Sequence, residues 1–404
     1  MELTVNETSE QTPKTVIDAI TAARLSCLPT NRLTVLTASL VQTFKTELKY
    51  NLIWSNGLYL QEVPKRLGYN DALDTSVSAL TAAHLDIVLG RKTSVKALTE
   101  YSRALRTLKN VLNDPVKACA SETLCAVMLL LLCQSFIGVR GAAYMGHVEG
   151  AAQILRARRY YNPADDFEAK LLLSLRGPVL FMGVLSDKIQ FSRREWDTIV
   201  VNDLDGSTPE GKMMCCLAQL PVIRERKKKM LNGGNNDPDL LEETRTNYQN
   251  MMDVLEEFHS RKVEMQKTIA AGTVSTPYGR IMDAHYQRSY ALGLSVSLVI
   301  NFVAYAIEPD NSDLPLQAEH FVKEILSLCE GAEKFRPLGA SYMLLCLMLA
   351  WAGTEDHPNK HSIEMELEKY LQDFPMGSLA ELLPKMKLYA GYLRLLSTLS
   401  PDCY

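Results

Sequence analysis

Side chains able to do chemistry are few in this sequence, and they are scattered. His357 and His361 stand four apart, with Glu364 close by. On a helix that spacing can turn two imidazoles and a carboxylate toward one metal ion. Pro358 follows His357 directly. Proline suits the first turn of a helix, where its missing N–H would have no partner. The pair therefore reads as the solvated opening of a helix, and no metal site is expected. His147 lies among small residues with no Asp or Ser at a recognisable spacing. It reads as a packing histidine whose ring bonds a neighbouring helix, not as a ligand or base. The stretch Gly293 to Ser297, GLSVS, misses the last glycine of a nucleophile elbow and sits in an apolar run, which makes its first serine, Ser295, a core or interface residue. There is no phosphate-binding glycine loop and no dinucleotide fingerprint.

Two acidic stretches, Asp165–Asp166 and Asn202 to Glu210 (NDLDGSTPE), superficially look like the clusters that hold magnesium and diphosphate in helical terpene synthases. The first lacks a third acid at the needed place. In the second, Gly206 stands where a hydroxyl ligand is required. One strongly basic run remains, Arg224, Arg226, Lys227, Lys228 and Lys229 within RERKKK. It suits nuclear import or contact with a partner. It equally suits a helix end, where positive charge complements the dipole just before Asn232–Gly233–Gly234. No catalytic set and no cofactor is expected from these residues.

Charge and composition narrow the classes further. The 404 residues carry a formal net charge of −4, without the basic surplus that phosphate contacts demand, so the chain as a whole is not an electrostatic DNA reader. The nine cysteines are odd in number, irregularly spaced and mostly inside apolar runs. Free thiols of that kind behave as small hydrophobes in a reducing compartment, nucleus or cytoplasm. Met1 to Lys14 is polar and has no apolar stretch of the signal-peptide kind. Residues 1–30 are expected to be partly disordered. The purely apolar run Leu124 to Cys133 falls far short of the ~20 residues that cross a bilayer. No membrane span is expected.

The elements that must position these residues read as helices. Between Ser94 and Leu112, Leu98, Tyr101, Leu105, Leu108 and Leu112 recur at spacings of three and four, which puts them on one stripe. Asn113–Asp114–Pro115 ends that helix. The next, entered at Ser121 or Glu122 and left at Gly138, is apolar nearly all round, as a central helix must be. A third, about Ala142 to Arg158, is rich in Ala and Gly, which allows close helix approach. Further helices are expected at about 166–185, 212–230, 238–269, 281–307, 316–335, 338–351, 363–373 and 379–399. The best strand candidate, Thr198 to Val201, is short. The expected fold is all-α, an array of antiparallel helices in a bundle or solenoid over residues 31–404. The turn-rich stretch Asn232 to Pro238 marks a candidate subdomain boundary.

From about Thr81 to Arg159 the sequence resembles the fungal-specific regulatory domain that follows the zinc cluster in many fungal transcription factors. The matching words are ALTEYSRALRTL (Ala97 to Leu108), SETLCAVMLLLLCQ (Ser121 to Gln134) and YMGHVEGAAQIL (Tyr144 to Leu155). Tyr101, Ala104 and Leu105 fit the first helix of the pattern. Tyr144, His147 and Gly150 fit the third, with Tyr144 where the family prefers Trp. Leu217 to Lys229 is similar to a downstream helix. The resemblance implies a nuclear regulator of transcription, in secondary metabolism, and brings no active-site residues with it. The family's DNA reader is a six-cysteine zinc cluster that begins Cys-x-x-Cys, and no Cys-x-x-Cys occurs in this chain. Direct DNA binding is therefore not expected. The expected partner is a protein, either a DNA-binding transcription factor or a second copy, together with a small apolar metabolite held in the helical core. Two other classes stay open: an enzyme of isomerase, cyclase or lyase type with a helical-core pocket, and a structural interaction module.

Overall fold

The computed structural model describes residues 31–138, 142–157, 165–185, 189, 191–198, 205–231, 237–272, 276–374 and 377–398. Among them every regular element is helical. The expectation of an all-α array holds. The N-terminal segment 1–30, Cys27, Cys403 and the loop 232–236 lie outside the described residues. Thr198 corrects the strand candidate at its first position: it closes a helical turn, its hydroxyl donating to the Arg194 carbonyl at 2.7 Å. The rest of that candidate, 199–201, lies outside the described residues.

The first half is built on α1 (Arg32–Thr43), the short α2 (Leu52–Asn56), α3 (Asp71–Val88), α4 (Val95–Leu112), the single turn α5 (Pro115–Ala118), α6 (Ser121–Ile137) and α7 (Ala142–Ala157). Helix α3 is central, packed on α1, α4 and α6. Its start is fixed by Asn70, whose Oδ1 accepts from the N–H groups of Ala72 and Leu73 at 2.9 and 3.2 Å. Such a cap satisfies donors that the helix itself cannot. The same side chain donates to Thr123 Oγ1 at 2.9 Å and so ties the start of α3 to α6. The far end turns at Gly90 (φ +59°), with N–H groups of Gly90 and Arg91 returning to the carbonyls of Ile87 and Asp86. Glycine takes this left-handed position without a Cβ penalty. Asp86, buried, receives Arg91 Nε and the Ser94 N–H, both at 2.7 Å, which sets the angle at which α4 departs.

Helix α8 (Asp166–Leu185) leads to the single turn α9 (Arg193–Trp196) and then to the second half. That half comprises α10 (Pro209–Leu231), α11 (Asp239–Ala270), α12 (Thr276–Ile307), α13 (Asp313–Glu333), α14 (Tyr342–Gly353), α15 (His357–Leu371) and α16 (Leu379–Thr398). Helix α12 is the hub here, packed on α10, α11, α13, α14 and α16. Its stretch Gly279–Ile307 is long and apolar enough to cross a membrane, with mean hydropathy 1.8, which the reading from pure apolar runs passed over. In this fold 78% of its most apolar window is buried by its neighbours. Across the candidate boundary at 232–238, α10 and α11 pack on each other. Arg226 holds Asp237 by two bonds of 2.7 Å and also pairs with Glu243.

Candidate functional site

Helices α1, α3 and α4 enclose a groove of about 670 Å³. Its apolar lining includes Val35 and Leu36 on α1 and Ala82, Leu85 and Val88 on α3. The lining also includes the hydroxyls of Ser39, Thr43, Ser78 and Thr81 and the cations Arg32, Arg91, Lys96 and Arg103. Two of the cations are already engaged, Arg91 with Asp86 and Arg103 with Glu100.

The groove also holds Asp74 and His84, both on α3. Burial raises the Asp74 carboxyl, while the Gly68 N–H, donating to its Oδ1 at 2.9 Å, opposes the rise. Burial lowers the His84 imidazole. Its Nε2 lies 2.7 Å from the Tyr50 carbonyl, and a carbonyl only accepts, so Nε2 is a protonated, donating nitrogen. Ten residues of helix, about 15 Å, separate the two groups. They cannot serve one small substrate as an acid–base pair.

The residues singled out in the sequence fall as follows. Tyr101 on α4 and His147 on α7 meet, with the phenol oxygen 3.3 Å from Nε2. Burial raises Tyr101 to about 12 and lowers His147. Beside them on α6, Gln134 is 1% exposed. Its carboxamide lies near the Tyr101 phenol, yet neither of its polar atoms reaches a partner at hydrogen-bonding geometry. Leu105 is 37% exposed, which corrects its place on the buried stripe; Gly150 has open space where a side chain would project. The backbone of Tyr144 is part of α7, and its side chain is outside the description.

The basic run lies in the last turns of α10. Arg224 is buried and Arg226 is held by Asp237 and Glu243. Lys227, brought down to about 8 by burial, donates to the Ala306 carbonyl at the end of α12. Lys228 is half-buried and Lys229 exposed. Pro358 stands in the first turn of α15, as read from the sequence, and Glu364 accepts from the Trp351 indole at 2.9 Å, turned to α14. The chance cluster that the sequence does not announce is Glu210, His285 and Ser289. His285 Nε2 and Ser289 Oγ reach the same Glu210 Oε1 at 3.3 and 3.1 Å. Burial pushes Glu210 up, and the His285 bond, a backbone N–H, the His285 charge and the Ser289 bond together bring it net below the usual carboxylate range. A hydrolytic triad needs the imidazole between acid and hydroxyl; here the acid is in the middle. Among the described residues no group of His, Cys, Asp and Glu is gathered closely enough to hold a metal ion.

Among the described residues five of the seven cysteines are buried, and Cys119 and Cys215 are partly exposed. Cys125, Cys133, Cys216, Cys329 and Cys346 are buried and free. Burial pushes Cys216, Cys329 and Cys346 up to about 12, which leaves them unreactive. No family model, curated protein or solved structure matches this chain.

Proposed function

We propose that the chain is a regulator or co-regulator of transcription that works in the nucleus through contacts with a protein partner, and that the α1–α3–α4 groove takes a small apolar metabolite. The groove is the observation that carries this reading. Its volume, about 670 Å³, is of the size that holds a drug-sized molecule. The apolar lining supplies affinity, and the hydroxyls and cations among it supply orientation. The groove borders α4, which carries the first of the three stretches that resemble the fungal regulatory domain; the other two lie on α6 and α7. A metabolite wedged between α1 and α3 regulates only if it binds two arrangements of the helices with different affinity.

Two measurements test the reading. Footprinting of the purified chain on genomic fragments is expected to give no sequence-specific protection, and a tight specific complex would sink it. Expression profiling after deletion of the gene is expected to change a defined set of transcripts, and an unchanged profile would equally remove it. An enzyme reading lacks support from the groove, because its two perturbed groups lie about 15 Å apart along α3.

A further inference from the structure

The outer side of α4 carries a row of leucines that the fold leaves unused. The buried face of the helix is Ala97, Tyr101, Ala104, Leu108 and Val111. Leu98, Leu105 and Leu112 stand seven apart beside it and remain 43%, 37% and 42% exposed. Val95 before them and Val116 after them are 80% and 83% exposed. Seven residues are close to two helical turns, so the leucines form a nearly straight row about 21 Å long. Exposed leucines repeated along one helix face make a candidate interaction site.

The neighbouring helix completes the surface. Leu98 and Leu105 lie three before and four after Tyr101; Gly146 and Gly150 lie one before and three after His147. Tyr101 and His147 bond each other, so the leucine row and the glycine face border one junction. A Cβ added at either glycine would meet nothing within 4 Å. The α4–α7 trough is the surface beside the Tyr101–His147 contact, edged by the leucines of α4 and by the open glycine positions of α7, which a second helix can approach closely.

Charge decides which helix. Along α4, Lys96, Arg103, Arg106 and Lys109 face the single acid Glu100, in a chain whose net charge is −4. Arg103 is paired with Glu100. Arg106, Lys109 and Lys117 are exposed, and among the described residues no carboxylate pairs with them. Two copies meeting through this face would bring like charges together, which opposes association. We infer that the α4–α7 trough docks an acidic amphipathic helix of a protein partner, its apolar side on Leu98, Leu105 and Leu112 and its carboxylates over Arg106 and Lys109. This inference rests on, and sharpens, the reading of the chain as one that acts by protein contact.

The test uses the full chain and a fluorescein-labelled three-heptad peptide repeating Ala-Leu-Glu-Glu-Leu-Glu-Ala, followed by fluorescence anisotropy. A peptide with Lys in place of every Glu is the control. The acidic peptide is expected to bind saturably, more weakly as salt rises, and the lysine peptide not to bind. The combined change Leu98→Ser, Leu105→Ser and Leu112→Ser is expected to weaken binding at least about tenfold. These leucines are partly exposed, and an unchanged melting temperature in the same samples certifies the fold. Arg106→Glu with Lys109→Glu is expected to weaken the acidic peptide and admit the lysine peptide. The inference is overturned by absent binding, by equal binding of both peptides, or by either variant leaving affinity unchanged. It is also overturned if light scattering finds a dimer that the leucine variant dissolves, since the occupant is then a second copy. Peptide binding with no effect of the leucine variant on transcription supports the trough and removes the regulatory reading, so the two fail separately.

Discussion

Gln134 is the residue whose environment is hardest on it. A carboxamide buried to 1%, beside the Tyr101 phenol but short of hydrogen-bonding geometry, replaces little of the hydration it forfeits. Leaving such a group unmatched costs about 1–3 kcal/mol, whereas an apolar side chain of similar size costs nothing of the kind. Gln134→Leu is therefore expected to raise stability by about 1 kcal/mol in chemical denaturation; a clear loss would mean that the amide bonds something, such as an enclosed water, that holds Tyr101 and His147 in register. His84 makes a prediction about pH. Its folded imidazole is held below the ordinary value of 6.5 by burial, the Tyr50 carbonyl opposing in part. The unfolded chain therefore takes up a proton first as pH falls through about 6.5, and proton uptake by the unfolded state favours unfolding. Stability is full above that pH and falls as pH drops toward the folded value. His147, lowered by burial as well, acts in the same direction. Melting temperatures between pH 7.5 and pH 5 are expected to decline, and the decline is expected to be shallower in His84→Gln; parallel curves would refute the assignment to His84.

At the scale of the element, α4 separates two roles that the sequence pattern merges. Spacings of three and four place Leu98, Tyr101, Leu105, Leu108 and Leu112 on one stripe, but that stripe is wide enough to straddle the edge of the interface. Tyr101 and Leu108 fall inside it and the other three outside. Leu108→Ala is expected to cost about 2–5 kcal/mol, as a cavity in a packed core does. Leu105→Ala, the same chemical change three residues away, is expected to cost under about 1 kcal/mol. Equal costs in urea unfolding would place the interface elsewhere. The same contrast explains what was legible beforehand. Helices with strong apolar content and clear ends, such as α4 with Ser94 and Asn113 or α6 with Gly138, stand out because capping and periodicity agree. Helix α3 does not, although it is the centre of the first half. It buries Asp74, Thr75, Ser76, His84 and Asp86 beside its Leu and Val residues, so no apolar stripe appears. His84 is matched by the Tyr50 carbonyl, thirty-four residues away, and Asp74 and Asp86 by N–H groups just outside the helix ends, Gly68 and Ser94, none of which an apolar pattern reveals. The groove went unread for the same reason, since two of its three walls belong to α1 and α3. The Tyr101–His147 junction was half legible: both residues stood in the matching words, but only the fold brings them together.

For the whole molecule the question is whether the halves around α3 and α12 unfold as one. Helix α8 decides it. A surface helix presents an apolar stripe roughly 100° wide to its core. On α8 the buried side chains Phe167, Leu171, Leu172, Leu175, Val179 and Leu180 extend over more than half the circumference, with Glu168 and Arg176 buried among them. The helix needs this because it packs on α6 and α7 on the side of the first half and on α10 and α16 on the side of the second. Its entry is pinned by Arg66, which holds Asp165 through two bonds of 2.7 and 2.8 Å and Glu122 at 2.9 Å while stacking on Phe167. A helix shared in this way transmits the loss of either half to the other. Leu175→Ala, at a side chain with no exposure, is expected to lower stability by about 2–5 kcal/mol. The informative measurement is where that loss is felt. In native-state hydrogen exchange, the slowest amides report global opening and others report smaller openings. Amides of α3 and α12 are both expected to exchange faster in Leu175→Ala by a similar factor. Acceleration confined to one of the two helices would mean that the halves open independently, and then a ligand in the α1–α3–α4 groove could not be felt through α8 at the far end of the array.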